Sequence, residues 1–186
     1  MAIREKKDQR TSWKELGHTH LNHLDGEHRL AAENVVAAAD SEQEAVLVLE
    51  YHLGFMDAAT AEVRFASPIG EVVVQRANLR HIVEKRQDAR ERYVLFAIAT
   101  MLDPLEIWNV AYEDDDTQGI SYRYAYIGAF EGKTQMLVVV AQVDGRLLWN
   151  FMHGDNKAVN KRRHGEQLVY RRPEKNKGEG GLALAA

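Results

Sequence analysis

The chain has 186 residues, of which 45% are hydrophobic, so it is long enough to bury the core of one domain and to carry a terminal extension. It contains no cysteine, which excludes disulfides, thiolate metal sites and a cysteine nucleophile. The net charge of −4 argues against a protein that coats nucleic acid, and no apolar run approaches the roughly 20 residues that span a bilayer. No apolar stretch follows the charged N-terminus, as it would in a secretory signal, so we expect a cytoplasmic protein without a membrane partner.

Basic residues cluster in two segments of this acidic chain. One segment runs from Arg76 to Arg92 and the other from Lys157 to Lys177, whereas acidic residues are concentrated at positions 113–116. A locally basic face can attract a polyanion although the total charge is negative. The alternative is a solvated surface on which both signs are mixed.

The first 59 residues carry weak structural signals. Residues 1–12 are polar, and we expect them to be frayed. Residues 13–39 favour helix, although their apolar positions are only loosely periodic and Gly17 and Gly26 interrupt them. Residues 45–55 contain an apolar run that fits either a buried strand or a helix, because periodicity cannot separate the two over so short a stretch. We therefore predict a helical N-terminal extension over residues 1–59.

From residue 60 onward the pattern is clearer. Two alternating stretches within residues 61–75 predict a β-hairpin. A helix is expected from Leu79 to about Arg86, with Asn78 as its N-cap. A second helix from about Ala89 should stop ahead of Pro104, because the residue before a proline disfavours helix.

The rest of the domain is predicted to be strand. Alternating or uniformly apolar stretches lie at residues 106–112, 121–127, 135–141, 146–153 and 167–171. The pair Asp144-Gly145 predicts a tight hairpin turn between the third and fourth of these strands. Helices followed by an antiparallel meander predict an α+β domain, with the helices on one face of the sheet. Residues 174–186 are expected to form a flexible tail.

Several short motifs occur in the order that is typical of one nuclease group. They are Gly70-Glu71-Val72, Leu79-Arg80-His81-Ile82, Asp103-Pro104-Leu105-Glu106-Ile107-Trp108, Tyr122-Arg123-Tyr124, Met136 to Ala141 and Asn160 to Tyr170. In this order, the stretch from Val63 to Arg172 resembles the phage-barnase-EndoU-colicin E5/D-RelE-like (BECR) nuclease domains of phage and prophage proteins. The resemblance implies a barnase/RelE-like nuclease domain over residues 60–173.

The resemblance implies a toxin-like, metal-independent endoribonuclease that needs no cofactor, with tRNA as one candidate substrate. In this chemistry the 2′-hydroxyl attacks the adjacent phosphorus and leaves a 2′,3′-cyclic phosphate. A base must take the hydroxyl proton, an acid must protonate the leaving oxygen, and cationic donors must stabilise the phosphoryl oxygens. The expected setting is the bacterial cytoplasm or a virion, with RNA and a host or immunity protein as partners. The sequence leaves the oligomeric state open.

Four residues are candidates for the catalytic groups that the resemblance implies. Histidine titrates near neutral pH, which suits acid–base chemistry, and His81 lies on the first helix of the domain with Lys85 one turn later on the same face. Arg123 offers a planar fork of donors for phosphate, and His153 ends an aromatic strand. The alternative for His81 and Lys85 is a packed or capping histidine beside a solvated lysine.

Six further residues are candidates for substrate contacts. They are Tyr124, Asn150, Asn156, Asn160, Lys161 and Arg163. A loop rich in basic and amide groups next to a strand end can hold a phosphate, and a tyrosine can stack on a base. Alternation places Arg123 and Tyr124 on opposite faces of their strand, so only one of them can face a substrate. The alternatives are a solvated loop and a tyrosine at the edge of the core.

Two terminal features allow both a functional and a plain interpretation. The four N-terminal histidines, His18, His20, His23 and His28, suggest zinc, but their spacing fits no metal motif and we predict no metal site. The ending at residues 182–186 is similar to the apolar tag that marks stalled bacterial proteins for proteolysis. The alternative is a disordered alanine tail.

A non-catalytic role is the alternative to the nuclease hypothesis. The same fold can serve as a phage structural or host-interaction module that has lost its site. The acidic total charge and the lack of an unambiguous constellation of histidine, glutamate and arginine leave this alternative open.

Overall fold

One antiparallel sheet forms the centre of the molecule. The computed structural model describes residues 3–6, 9, 11–84, 86–114, 117, 119–143 and 146–173. In chain order, the strands and helices are β1 (Ile3–Glu5), β2 (Thr11–Ser12), α1 (Glu42–Leu53), β3 (Glu62–Ser67), β4 (Gly70–Gln75), α2 (Leu79–Val83), α3 (Val94–Leu102), β5 (Glu106–Asp114), β6 (Ile120–Gly128), β7 (Gln135–Val143), β8 (Arg146–Gly154), α4 (Asn156–Asn160), β9 (His164–Gly165) and β10 (Gln167–Arg171). The predicted α+β class is confirmed.

The four long strands form the predicted meander. Strands β5, β6, β7 and β8 pair antiparallel in chain order, and β1 and β10 both pair with the other edge of β5. Trp108 lies opposite Ala125, whereas its neighbour Ile107 lies opposite Tyr126. Adjacent residues therefore enter opposite faces of the sheet, which is why an alternating sequence forms strands here.

Helices and a hairpin cover the first face of the sheet. Helices α1, α2 and α3 and the hairpin of β3 and β4 pack in one core with Ile107, Tyr126, Val138 and Phe151 of the sheet. The hairpin pairs in register from Glu62 to Gln75, as the alternation within residues 61–75 predicted. The helices thus lie on one side of the meander, in the arrangement expected from the order of elements.

The ambiguous apolar run at residues 45–55 is a helix for most of its length. Ser41 caps α1, because its Oγ accepts a hydrogen bond from the backbone N of Glu44 at 3.2 Å. Gly54 ends the helix in the left-handed conformation, at φ 90°. The buried side chains recur every four positions, which fits a helix and not a strand; they are Ala45, Leu49 and Leu53.

The next two helices are shorter than predicted. Helix α2 ends at Val83, and Asn78 makes no capping hydrogen bond with its side chain. Asn78 already belongs to a 3-10 turn, so its backbone has helical angles and not the extended ones that N-capping requires. Helix α3 begins at Val94, after a 3-10 turn over Arg90–Tyr93, and ends just ahead of Asp103 and Pro104 as predicted.

The N-terminal segment (residues 11–30) packs against the second face of the sheet. It contains two 3-10 turns, Leu21–His23 and Gly26–His28, so the predicted helix over residues 13–39 is wrong. Leu21 is completely buried in one cluster with Trp108 of β5. The few apolar side chains of this segment are spaced irregularly because they pack into the sheet and do not form the stripe of a helix. Residues 3–5, which were expected to fray, pair with β5.

Helix α4 is a short element in a stretch predicted to be a polar loop. Asp155 caps it, because its Oδ1 accepts a hydrogen bond from the backbone N of Ala158 at 2.7 Å. Val159 packs onto the second face of the sheet with Leu137. Only one apolar side chain anchors this helix, so hydrophobic periodicity could not indicate it.

Some predicted features lie outside the described residues. These are the turn Asp144-Gly145, the acidic residues 115 and 116, Lys85 and the tail from residue 174. Within the described ranges, no helix is both long and apolar enough to cross a bilayer.

Replacing Leu21 tests whether the N-terminal segment belongs to the folded core. Because Leu21 is completely buried, Leu21→Ala should lower the free energy of unfolding by about 2–5 kcal/mol. Urea denaturation measures the change, and Leu16→Ala, at a side chain 43% exposed, serves as the control with little expected effect. Equally small effects in both variants would show that the segment contributes nothing to the core.

Candidate functional site

A buried ion pair joins β5 to the chain that follows α4. Arg163 donates from Nε to Glu106 Oε2 at 2.8 Å and from Nη2 to Glu106 Oε1 at 2.5 Å, and both side chains are 1% exposed. Nη1 of Arg163 also donates to the carbonyl oxygen of Thr19 at 2.9 Å and to Asn160 Oδ1 at 2.8 Å. Arg163 therefore ties the sheet, the N-terminal segment and α4 together. Its expected role as a phosphate ligand is corrected, because these partners already occupy its donors.

The carboxylate of Glu106 is held in its ionised form. Burial alone would raise the pKa of Glu106, but the hydrogen bonds and charge of Arg163, the indole of Trp108 and the ring of His18 together lower it. Trp108 Nε1 donates to Oε2 at 2.9 Å, and His18 Nδ1 lies 3.2 Å from Oε1. Burial and the charges of Arg171 and Arg163 lower the pKa of His18, whereas the charge of Glu106 and its hydrogen bond raise it.

A cleft of about 400 Å³ opens between the N-terminal segment and the chain of α4 and β9. We call it the basic cleft, because the described residues that line it are basic or neutral, with no aspartate or glutamate among them. Its lining residues are Ser12, Trp13, Lys14, His20, Lys157, Asn160, Lys161, Arg163 and His164. Two of the predicted substrate-binding residues, Asn160 and Lys161, therefore share one cavity with Arg163.

Hydrogen bonds fix the inner wall of the basic cleft. Asn160 is 5% exposed, and its Oδ1 accepts from the backbone N of Leu21 at 3.3 Å as well as from Arg163. This orients its Nδ2 towards the carbonyl oxygen of Asn156 at 2.6 Å and towards His20 Nε2 at 3.0 Å. Asn160 is thus a rigid part of the wall and not a loop residue.

His20 lies at the side of the basic cleft. Its Nδ1 accepts a hydrogen bond from the backbone N of Asn22 at 3.1 Å, and its Nε2 lies 3.0 Å from Asn160 Nδ2. Burial, followed by the charges of His23, Arg163 and Lys14, lowers the pKa of His20. Sequence reasoning considered His20 only as a metal ligand, and the sole hint of another role was its place among four clustered histidines.

A second cavity of about 370 Å³ lies on the other side of α4. We call it the α4 hollow, and it is lined by Leu137, Met152, His153, Gly154, Ala158, Val159, Lys161 and Arg162. It brings together His153 and Lys161, which the sequence nominated separately as a catalytic and a substrate-binding residue. Because Lys161 lines both the α4 hollow and the basic cleft, the two cavities adjoin.

His153 is positioned by an aromatic stack. Its ring lies parallel to that of Tyr93, with the centroids 3.6 Å apart. Burial lowers the pKa of His153, and the positive charges of Arg90 and Arg92 lower it further, whereas the negative charge of Asp88 raises it. A neutral imidazole at this position can accept a proton near pH 7.

The residues around His153 include a second predicted contact residue. Nη1 of Arg90 donates to Asn150 Oδ1 at 2.9 Å, so the exposed amide of Asn150 is held by the turn that also carries Tyr93. Helix α2 packs against this turn and against β8. The α2 residue His81 is 72% exposed, and its Nδ1 lies 2.8 Å from Glu84 Oε1. His81 thus lies on a helix that packs against β8, the strand that carries His153, while Lys85 lies outside the described residues.

Arg123 and Tyr124 lie on opposite faces of β6, as the alternation predicted. The guanidinium of Arg123 stacks on Tyr112, with its carbon 4.3 Å from the ring centroid. Tyr124 is partly buried and packs against the helical core, which favours the alternative of a tyrosine at the edge of the core, and its role as a stacking platform for a base stays a prediction. Neither of them, nor Asn156, is among the described residues that line the basic cleft or the α4 hollow.

The N-terminal histidines do not converge on one point. His18 contacts Glu106, and His20 contacts Asn160. Among the described residues, the group close enough to share a metal ion is Asp25, Glu27 and His28. It contains one of the four histidines and lies at the exposed second 3-10 turn.

The structure is an α+β scaffold with two lysine-lined cavities beside α4. A family model described as phage-Barnase-EndoU-ColicinE5/D-RelE like nuclease 2 matches residues 52–171. The match covers more than half of the chain, so the chain belongs to this family, and its membership indicates nuclease activity. This confirms the resemblance found in the sequence. No curated protein and no solved structure matches the chain.

The variant Glu106→Gln tests the buried ion pair. It keeps the shape of the side chain but leaves the Arg163 guanidinium buried without its counter-charge, so the free energy of unfolding should fall by about 3–5 kcal/mol at pH 7. Because the folded state lowers the pKa of Glu106, the contribution of its charge is present above 4.5 and is lost as the pH falls through the native pKa. The difference from the wild type should therefore shrink in acid.

Denaturant titrations at pH 7 and in acid measure this difference. Glu62→Gln, which removes a charge from an exposed pair with Arg64, is the control and should change little. A small, pH-independent effect of Glu106→Gln would contradict the assigned role of the pair.

Proposed function

We propose that the chain is a phage- or prophage-encoded endoribonuclease of barnase/RelE-like arrangement that cleaves RNA in the bacterial cytoplasm without a metal ion. The observation that carries the proposal is that His153, held neutral by its surroundings, and Lys161 line the same cavity. A base and a cation within one hollow are two of the three groups that cleavage of RNA by its own 2′-hydroxyl requires. Membership in a nuclease-like family supports the same activity.

The reaction is a transesterification within the substrate. The 2′-oxygen forms a bond to the adjacent phosphorus and gives up its proton to a base, while the bond between phosphorus and the 5′-oxygen breaks. The leaving 5′-oxygen takes a proton from an acid. The products are a 2′,3′-cyclic phosphate and a 5′-hydroxyl, so atoms and charge balance without a metal ion or a cofactor.

The proposal gives His153 the role of the base. The stack on Tyr93 fixes the plane of its ring, and burial keeps it unprotonated near neutral pH. Lys161 is the cation that stabilises the phosphoryl oxygens as their charge grows. Arg162 lines the same hollow, but its Nη1 also donates to Glu5 Oε2 at 2.8 Å, which reduces its contribution.

His81 is the proposed acid, and its support is the packing of α2 against β8. Because its ring is exposed to solvent, it can take up a proton from water after each turnover. Lys85 belongs to the same proposal as a neighbouring cation. Arg123 is given no catalytic role, because its guanidinium stacks on Tyr112 away from the lining of the hollow.

Loss of either histidine should abolish most of the cleavage. In excess EDTA, His153→Ala and His81→Ala should each lower kcat/KM on bacterial RNA by about 10²–10⁴-fold, the usual contribution of a general base or acid. Products are resolved on a denaturing gel and their ends tested for the cyclic phosphate. His52→Ala, on α1, is the matched control and should cleave like the wild type.

Each outcome of this assay has a direct meaning. Unchanged cleavage by one histidine variant would remove that residue from the mechanism. A requirement for a divalent cation would contradict the metal-independent reaction. If the folded wild-type protein cleaves none of a broad range of RNAs, the non-catalytic interaction module becomes the better hypothesis.

The pH profile tests the base assignment separately. Protonation of His153 stops it from accepting the 2′-hydroxyl proton, and burial lowers its pKa below the ordinary value of 6.5. The acidic limb of kcat/KM should therefore have its midpoint below pH 6.5, and the residual activity of His153→Ala should lack this limb. A midpoint above 6.5 would argue that another group is the base.

A further inference from the structure

We infer that the basic cleft binds a backbone phosphate of a polynucleotide strand, next to the reacting phosphate in the α4 hollow. The inference deepens the proposed function and rests on it, because the strand is the substrate of the proposed nuclease. It adds a site that the family-matched range cannot form alone, since Ser12, Trp13, Lys14 and His20 precede residue 52.

The first support is an excess of unneutralised positive charge. Lys14, Lys157 and Lys161 are exposed, and in the part of the chain that the structure describes no carboxylate lies within ion-pair distance of them. The other cation of the wall is neutralised, since Arg163 pairs with Glu106, and His164 Nε2 lies 2.8 Å from Glu5 Oε1. Three lysine ammonium groups around a cleft whose described lining includes no aspartate or glutamate form an attractive site for an anion.

The second support is that the walls are held in place without a ligand. Strand β2 pairs with β9, where Ser12 lies opposite His164, and the backbone N of Trp13 donates to the carbonyl oxygen of Arg163 at 3.0 Å. The guanidinium carbon of Arg163 lies 5.2 Å from the Trp13 ring centroid. A site whose walls are already ordered loses little conformational entropy when a ligand binds.

The third support is the donor character of the wall. A phosphate oxygen accepts hydrogen bonds, and the described lining offers three lysine ammonium groups and the Trp13 indole N–H as donors, whereas the Ser12 hydroxyl already donates to Glu15 Oε2 at 2.9 Å. Amides and hydroxyls beside lysines are the usual protein contacts to a nucleic-acid backbone. The composition of the cleft therefore favours a phosphodiester over a cation or an apolar ligand.

Lys161 lies where the two cavities meet, so one polynucleotide strand can pass from the basic cleft into the α4 hollow. Because Lys161 lines both of them, a phosphate in the α4 hollow and a neighbouring phosphate in the basic cleft can be held on either side of the same side chain. Lys14 and Lys157 line the cleft but not the hollow. Their removal should weaken the grip on the strand without touching the groups assigned to catalysis.

Binding of an uncleavable strand tests the inference. The probe is a fluorescent all-2′-deoxy oligonucleotide without terminal phosphates, titrated with the full chain and followed by anisotropy at several salt concentrations. Lys14→Ala and Lys157→Ala should each weaken binding at least fivefold at low salt. Each should also reduce the slope of log K against log salt by about 0.7, the value for one lost contact to a single strand.

Lys133→Ala is the matched control, because it removes one exposed lysine from the turn between β6 and β7. It should change the affinity less than twofold. If Lys14→Ala and Lys157→Ala weaken binding no more than Lys133→Ala does, the inference is overturned. All three side chains are exposed, so each variant is expected to fold.

The experiment also separates the two proposals. The probe has no 2′-hydroxyl, so its binding does not depend on catalysis. If the protein cleaves RNA but the cleft variants bind the probe as tightly as the wild type, the phosphate site in the cleft is rejected and the nuclease proposal stands. If the protein cleaves no RNA but these variants lose binding, the phosphate site stands and the proposed reaction is rejected.

Discussion

The ion pair of Glu106 and Arg163 is the interaction on which the arrangement of the candidate site depends. It connects the first strand of the meander to the N-terminal segment and to α4, because the same guanidinium donates to Glu106, Thr19 and Asn160. Burial of two charges is costly, so such a pair contributes more to the choice of one geometry than to net stability. Here the geometry it selects is the inner wall of the basic cleft, and α4 is held between that cleft and the α4 hollow.

The second constraint is that the sheet is covered on both faces. Helices α1 to α3 cover one face, and the N-terminal segment and α4 cover the other. Side chains in the middle of the strands therefore pack against one of these two layers, as the partly buried Tyr124 does on the helical face. His153 lies near the end of the edge strand β8, where its ring stacks on Tyr93 and the residue borders the α4 hollow.

The division of the site between two parts of the chain has a functional consequence. The family-matched range contains His153, Lys161 and His81, the groups to which the proposal assigns the base, the phosphate-stabilising cation and the acid. The N-terminal segment supplies a wall of the basic cleft and so the proposed additional grip on the strand. The family-matched range would then determine which reaction is catalysed. The N-terminal segment, which precedes that range, would determine how long a stretch of the polynucleotide is bound.

The sequence by itself determined the strands of the meander, the hairpin of β3 and β4 and the end of α3, because alternation and Pro104 act through neighbouring residues. It also determined the family and the separate candidates His153, Asn160 and Lys161. Only the tertiary structure decided that Arg163 is a buried partner of Glu106, 57 positions away, and that the N-terminal segment lies on the sheet without forming a helix. Both depend on groups far apart in the chain, whose burial and pairing no local pattern encodes. For the same reason His20, which meets Asn160 across 140 positions, joined the candidate site only in the folded chain.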